Sequence, residues 1–351
     1  MSNRISGLNR RRFLKTGLRA AAGAAALGSG LSKAALPGSK EIPLTGTIPT
    51  RPFGKTGHTL PVLGHGGSAM VQQFIAAYGA RLLPDDELVA MVRQGFDKGI
   101  RYFDTARVYG KSEGLMGRAL KDVRDQVYVA TKVAVSRPED VRRSVETSLT
   151  ELQTDYVDAM QIHSPVIERA GVQGAMAVHA ELLKLREEGL LRFIGLTTHV
   201  AFENVYELIA TGGFDQVLLG YGYFPRELTG LLSDRKRMWR EKCLAKAHEL
   251  QMGVVAMKVL GADIFSHNAT NLVPDYEEAA RDRLAAAAVR WVLSDPRVSV
   301  LNIGVSYPDD IDRNIRTLAG DLTLTNEDRA LLADYSARAF ETERVKAMRV
   351  A

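Results

Sequence analysis

The 351-residue sequence has one cysteine, Cys243, which excludes an intramolecular disulfide and any multi-cysteine zinc or iron–sulfur site. It has no acidic residue before Glu41. It also lacks an apolar run long enough to anchor it in a bilayer. The best candidate, Ala20 to Leu31, would cover about 18 Å as a helix against the ~30 Å of a hydrocarbon core. With no cysteine near residue 34, a lipoprotein anchor is not expected either. No Gly-x-Gly-x-x-Gly run follows the first strand-like segment, which argues against an open dinucleotide-binding sheet. The body is not basic. The first 36 residues hold seven of the 46 basic residues and no acid, so the remainder carries 39 basic against 41 acidic residues, a net −2, although the whole chain is +5. The charge therefore makes no case for a nucleic-acid partner. What is present, 46% hydrophobic and 25% charged residues, is the composition of an ordinary globular protein with a large core.

Residues 1–36 have the layout of a cleavable export signal: a basic stretch ending at Lys15, the Ala/Gly/Leu stretch, and small residues around Ser32-Lys33-Ala34. The run Asn9-Arg10-Arg11-Arg12-Phe13-Leu14-Lys15 resembles a twin-arginine motif. It implies recognition by the twin-arginine translocase and a periplasmic or otherwise exported location. The alternative is a basic tail on a cytoplasmic protein. A Pro/Gly/Thr linker over 37–50 would then lead into one domain over 51–351.

In that domain short β-rich runs alternate with helical patterns, the signature of βαβ units and a parallel sheet. The expected strands are Leu60–Gly64, Arg101–Thr105, Val127–Lys132, Val157–His163, Phe193–Thr197, Gln216–Leu219, Val254–Met257 and Val298–Ile303. Helices are expected over Asp85–Asp97, Pro138–Leu152, Ala177–Glu188, Phe202–Thr211, Arg240–Gln251, Glu277–Leu293 and Pro308–Leu318. Eight such units suit an α/β fold of the (β/α)8 TIM-barrel type, with a C-terminal helix over Thr325–Val350 packed outside it. In such a barrel the chemistry sits at the C-terminal ends of the strands.

Those ends carry Asp104 and Tyr109, Lys132, and His163. The segment Phe103-Asp104-Thr105-Ala106-Arg107-Val108-Tyr109-Gly110, with Ser112-Glu113 and Gly117, closely resembles a signature of aldo-keto reductases. Ala130-Thr131-Lys132 and Gln161-Ile162-His163 are similar to that family's lysine and histidine segments. Further likeness runs from Arg51 to Leu318. The resemblance implies a nicotinamide-dependent oxidoreductase interconverting a small-molecule carbonyl and its alcohol. The residue types fit that chemistry. Protonating a nascent alkoxide needs a nearby acid, and a tyrosine beside a lysine held cationic by an aspartate can serve. Tyr109 is then the acid/base, Asp104 and Lys132 tune it, and His163 orients the carbonyl oxygen. Each taken singly has a structural reading, as helix cap, rim aromatic, solvated strand end or core histidine.

The implied cofactor is NADP(H) or NAD(H). By resemblance its nicotinamide end meets Gly66, Thr197, Thr198, Leu218 and Met257, with Leu218 where relatives offer a glutamine and Met257 where they offer a stacking aromatic. Met257 is equally readable as core filler. Lys258 and Leu260 would follow the pyrophosphate, and Gly304, Ser306, Asp310 and Asn314 the adenosine end. The acids Asp309, Asp310 and Asp312 would repel a 2′-phosphate and tilt the choice toward NAD, unless they only complement a helix dipole. His199, Tyr221, Tyr223 and Trp239 are the candidate substrate contacts. No metal site is expected. A second functional reading is a cofactor-holding binding or redox-sensing protein resembling potassium-channel β-subunits.

Overall fold

The computed structural model describes residues 41–71, 81–227, 230–262, 264–266, 269–276 and 280–350. The leader lies outside them.

Eight parallel strands close into a barrel: β1 (Leu63–Gly66), β2 (Tyr102–Asp104), β3 (Tyr128–Val133), β4 (Val157–Ile162), β5 (Leu191–Thr198), β6 (Gln216–Gly220), β7 (Gly253–Met257) and β8 (Val300–Gly304). They pair in chain order, and β8 returns beside β1 with Leu301 opposite Leu63. Around them run α1 (Asp85–Asp97), α2 (Ser112–Leu120), α3 (Val141–Leu152), α4 (Ser164–Glu187), α5 (Phe202–Ile209), α6 (Asp234–Glu249), α7 (Ala280–Leu293), α8 (Pro308–Ala319) and α9 (Asn326–Glu341). Asp85, Asp86 and Glu87 sit in the first turn of α1, where acids suit the positive end of the dipole.

The two-residue period of the strands sorts the side chains. Outward residues such as Phe103, Val129, Met160 and Leu196 pack under the helices in the main core. Inward ones, Tyr102, Tyr128, Leu218, Val255 and Val300, form a smaller aromatic core with Phe53 and Leu60 from the segment that precedes the barrel. Tyr128 stacks on Tyr102 at 5.4 Å, and Phe53 meets both rings edge-on. Above this aromatic floor, toward the strand C-termini, the inward positions turn polar at Asp104, Lys132 and Gln161.

The first expected strand is divided. Thr59–Pro61 leaves the barrel and pairs antiparallel with Thr50–Pro52 as a hairpin beneath it, so the barrel strand begins at Leu63. Pro61 lacks the N–H that a central strand must donate, so an edge hairpin accommodates it. Gly54, at φ +56°, lets the hairpin reach β7: a Cβ there would lie 2.4 Å from backbone atoms of Met252 and Gly253. The expected linker is also corrected over its described part, because Ile42 and Ile48 are 4% and 6% exposed. The Arg101 guanidinium donates to Pro43 O (2.9 Å) and Thr45 Oγ1 (2.5 Å), which ties this segment to the barrel. Finally, α4 starts well before Ala177. It opens at Ser164 with Pro165 in its first turn and breaks at Gly171, so its first part overhangs the barrel mouth.

His65, an outward residue of β1, is fully buried beside Phe103, and among the described residues neither ring nitrogen has a hydrogen-bond partner. Burial lowers its pKa to about 4. The unfolded chain therefore binds a proton between roughly pH 6.5 and 4 that the folded chain refuses, so stability falls as pH drops through that window. Replacing His65 with Leu should flatten that pH dependence and raise stability by about 1–3 kcal/mol at pH 5. Urea unfolding at pH 5 and pH 8 checks it, and an unchanged pH slope in His65→Leu would contradict this account.

Candidate active site

At the C-terminal end of the barrel lies a cavity of about 920 Å³. It reaches from Ser164, Pro165 and Glu168 on α4, past Asp104, Tyr109, His163 and Met257, to Asp310, Arg313, Asn314 and Arg316 on α8. Strands β4 and β8 are four places apart in the closed order, so the cavity crosses the whole mouth.

Asp104 ends β2 pointing inward, and three strands hold it. Lys132 Nζ of β3 donates to its Oδ1 at 2.5 Å, Asn302 Nδ2 of β8 to the same oxygen at 3.1 Å, and Gln161 Nε2 of β4 to Oδ2 at 2.8 Å. Lys132 Nζ also donates to Thr105 O at 2.7 Å. The ammonium lies 5.1 Å from the Tyr109 ring centroid, and that ring meets His163 edge-on at 5.9 Å. Sequence reasoning thus named four members of this cluster and missed Gln161 and Asn302. The signal for Gln161 was its inward register two residues before His163.

Burial alone would lower the Lys132 pKa, but Asp104, Tyr109 and Glu113 together hold it above the ordinary lysine value. Burial raises the Tyr109 hydroxyl above its usual value, and Lys132 pulls the other way without overcoming it. His163 falls to about 3, chiefly through burial with Lys132 and Arg169 adding repulsion, so it is a neutral imidazole at physiological pH. Its Nδ1 has no partner among the described residues.

Of the expected cofactor contacts, Gly66, Leu218, Met257, Lys258, Leu260, Gly304, Ser306, Asp310 and Asn314 line the cavity. Thr197 and Thr198 do not. Thr197 Oγ1 accepts from Ser164 N at 2.8 Å, and Thr198 Oγ1 accepts from Ala201 N at 2.8 Å at the start of α5, so both hydroxyls serve the fold. Lys258, with φ +66°, is lowered to about 8 by burial and by Arg226.

Two of the three acids on α8 have partners of their own. Asp310 Oδ2 accepts from Ser306 N and Tyr307 N as a helix cap, and Oδ1 pairs with Arg313; Asp312 pairs with Lys98. Arg281, Arg313 and Arg316 line this end together with Asp282 and Asp310.

Among the expected substrate contacts only His199 lines the cavity. Tyr221 donates to Asp295 Oδ2 at 2.8 Å and lies against Trp291, Tyr223 packs on Trp291 and Phe265, and Trp239 sits on Tyr206. These three side chains belong to the helix layer, because the chain leaves the barrel after Gly220 and turns outward. Glu168, Val200 and Glu227 occupy that part of the cavity wall instead.

Among the described residues no group of three His, Cys, Asp or Glu side chains is arranged to hold a metal ion, and no helix is long and apolar enough to cross a membrane. L-galactose dehydrogenase of Arabidopsis thaliana is 28% identical over 313 residues, covering 83% of this chain and 94% of that protein. Methylglyoxal reductase DkgA of Yersinia pestis is 34% identical over 139 residues, 36% of this chain and 49% of that protein. The holo form of an aldo-keto reductase from Bacillus halodurans shares the fold, with a TM-score of 0.64 at 20% identity over 82% of this chain and 96% of that one. The model of the Aldo/keto reductase family matches residues 75–335, most of the barrel. The chain belongs to the aldo/keto reductase family and is an oxidoreductase.

Proposed function

We propose that the protein interconverts a small-molecule carbonyl and its alcohol with a nicotinamide dinucleotide, through Tyr109, Lys132, Asp104 and His163. The observation that carries this reading is the Asp104–Lys132 pair, 2.5 Å long and buried, placed under the Tyr109 ring at the floor of the cavity. When bound, the nucleotide supplies or accepts the hydride. The cavity fits such a group: it is long, glycines stand at Gly66 and Gly304 on its wall, and Asn302 Oδ1 in the wall has no partner among the described residues. A side chain at Gly66 would crowd Asn302 Oδ1 at 3.1 Å, and one at Gly304 would crowd Ala69. Met257 and Leu218 offer apolar cover to a nicotinamide ring, Lys258 a cation to a pyrophosphate, and Ser306 and Asn314 hydrogen bonds to the adenosine end.

The chain's own residues then divide the work. Tyr109 gives a proton to the developing alkoxide oxygen and takes one back in the reverse direction. Lys132 stabilises the tyrosinate so formed, Asp104 keeps Lys132 charged, and neutral His163 orients the carbonyl oxygen as a hydrogen-bond donor. NAD(P)H oxidation with a panel of aldehydes, ketones and aldoses tests the proposal. A protein that binds nucleotide but turns over none of them is a cofactor holder rather than a reductase.

Arg316 supports the phosphorylated nucleotide over NAD, since a guanidinium can pair a 2′-phosphate in two hydrogen bonds, whereas Arg281 and Arg313 beside it are already engaged by Asp282 and Asp310. Arg316→Glu should raise KM for NADPH about tenfold, equal to roughly 1.4 kcal/mol, and leave KM for NADH within about twofold. Equal changes for both nucleotides would show that α8 does not read the 2′ position.

The leader supports export. Its twin-arginine run is expected to deliver folded protein, with nucleotide already inside, to the periplasm. Changing Arg10 and Arg11 both to Lys should leave the protein in the cytoplasm with its leader intact, as read by fractionation and the mass of the purified chain. A cytoplasmic, uncleaved unaltered protein refutes export.

A further inference from the structure

The phenol of Tyr109 sits on the turn after β2 and the ammonium of Lys132 on β3, and the barrel's hydrogen bonds alone do not fix that turn. We propose that Glu113 is a positioning residue for this pair, a buried bracket that holds the Tyr109 turn against the strand carrying Lys132. The inference rests on the carbonyl-reductase reading above.

Glu113 stands in the first turn of α2, is fully buried, and does not line the cavity. Its two oxygens point to the two halves of the catalytic pair. Oε1 accepts from Thr131 Oγ1 at 2.6 Å, and Thr131 immediately precedes Lys132. Oε2 accepts from Arg107 Nη1 at 2.5 Å, and Arg107 lies two residues before Tyr109. The connections between these anchors and the reacting groups are short and stiff. Tyr109 N donates to Ala106 O at 2.9 Å, Ser112 N donates to Tyr109 O at 3.0 Å, and Gly110 takes the left-handed conformation, φ +54°, that the turn requires. A second strut lies beside the first: Ser112 Oγ contacts Thr105 Oγ1 at 2.8 Å and donates to Gly67 O at 3.0 Å.

An apolar side chain would fill this seam without the desolvation that a fully buried carboxylate suffers. What it would not do is take a hydrogen bond from each side and so set a separation. Proton transfer depends steeply on that separation, because a shift of about 1 Å in a reacting group can lower the rate by two orders of magnitude. Glu113 touches neither the cavity nor a reacting atom, so its effect must pass through Tyr109 and Lys132.

The test compares kcat, KM and nucleotide Kd for Glu113→Leu, Thr131→Val and Thr131→Ser, each in the wild-type and Tyr109→Phe backgrounds. Glu113→Leu, which can hold neither side, and Thr131→Val are expected to lower kcat about tenfold or more, with KM and Kd within about threefold. Thr131→Ser, which keeps the hydroxyl, should recover most of that loss. In the Tyr109→Phe background the same changes should cost less than about twofold, because the group they position is absent. Glu113→Leu leaves Arg107 without its carboxylate partner; if it does not fold, the Thr131 pair decides alone, since that pair keeps the Arg107–Glu113 bridge. Undiminished kcat in folded Thr131→Val, or equal losses in both backgrounds, overturns the bracket while leaving the reductase reading intact. A wild-type protein that reduces no carbonyl overturns both.

Discussion

Tyr109→Phe is expected to lose about 10²-fold or more in kcat for carbonyl reduction, the scale of general acid–base catalysis, while nucleotide Kd stays within about threefold. The ring remains, so its contacts with His163 and Lys132 remain, and only the proton donor is removed. No other group takes over easily. His163 is neutral down to about pH 3, and the Lys132 ammonium, held above the ordinary lysine value, is committed to Asp104 and Thr105 O. Because burial keeps the Tyr109 hydroxyl above its usual pKa, wild-type reduction should be flat in pH up to about 10. Alcohol oxidation, which needs the tyrosinate, should still be rising there. A Tyr109→Phe variant within threefold of wild type in kcat removes Tyr109 from the mechanism.

The barrel was legible because alternation and strand–helix rhythm are local signals. Asp104, Lys132 and His163 could be placed because a residue at a strand's C-terminal end has nowhere to point but the mouth. Side chains beyond the strand ends were not legible in this way. Tyr221, Tyr223 and Trp239 have the composition of a pocket rim, yet the path of the chain after β6 sends them to Trp291 and Tyr206 in the helix layer. Thr197 and Thr198 have hydroxyls suited to an amide ligand, but two backbone N–H groups, of Ser164 and Ala201, take them up. The partners of two α8 acids were hidden for the same reason: Asp310 and Asp312 read only as a charged face in the sequence, whereas one caps a helix and the other pairs with Lys98. The pairing of Glu113 with both Arg107 and Thr131 was equally hidden, since no local pattern tells which strand a helix's first turn will touch.

Lys132→Met should abolish activity by a different route from Tyr109→Phe, and one further substitution separates its two effects. The pair is buried, with side-chain exposures of 1% for Lys132 and 3% for Asp104. Removing the ammonium leaves a carboxylate whose remaining side-chain donors, among the described residues, are the neutral amides of Gln161 and Asn302. Breaking a buried pair from one side costs about 3–5 kcal/mol, so Lys132→Met should be strongly destabilised as well as inactive. Adding Asp104→Asn removes the stranded charge. The new amide would confront one donor with another, but Gln161 Oε1 and Asn302 Oδ1 have no partners among the described residues, so either side chain can flip and present its oxygen. Stability by urea unfolding should therefore return to within about 1–2 kcal/mol of wild type in Asp104→Asn/Lys132→Met. Activity should not return: without the cation nothing offsets the burial that raises the Tyr109 pKa, and kcat should remain about 10²-fold or more below wild type. A refolded double variant that also regains kcat to within tenfold would show that the pair holds the barrel together and leaves the phenol to act alone.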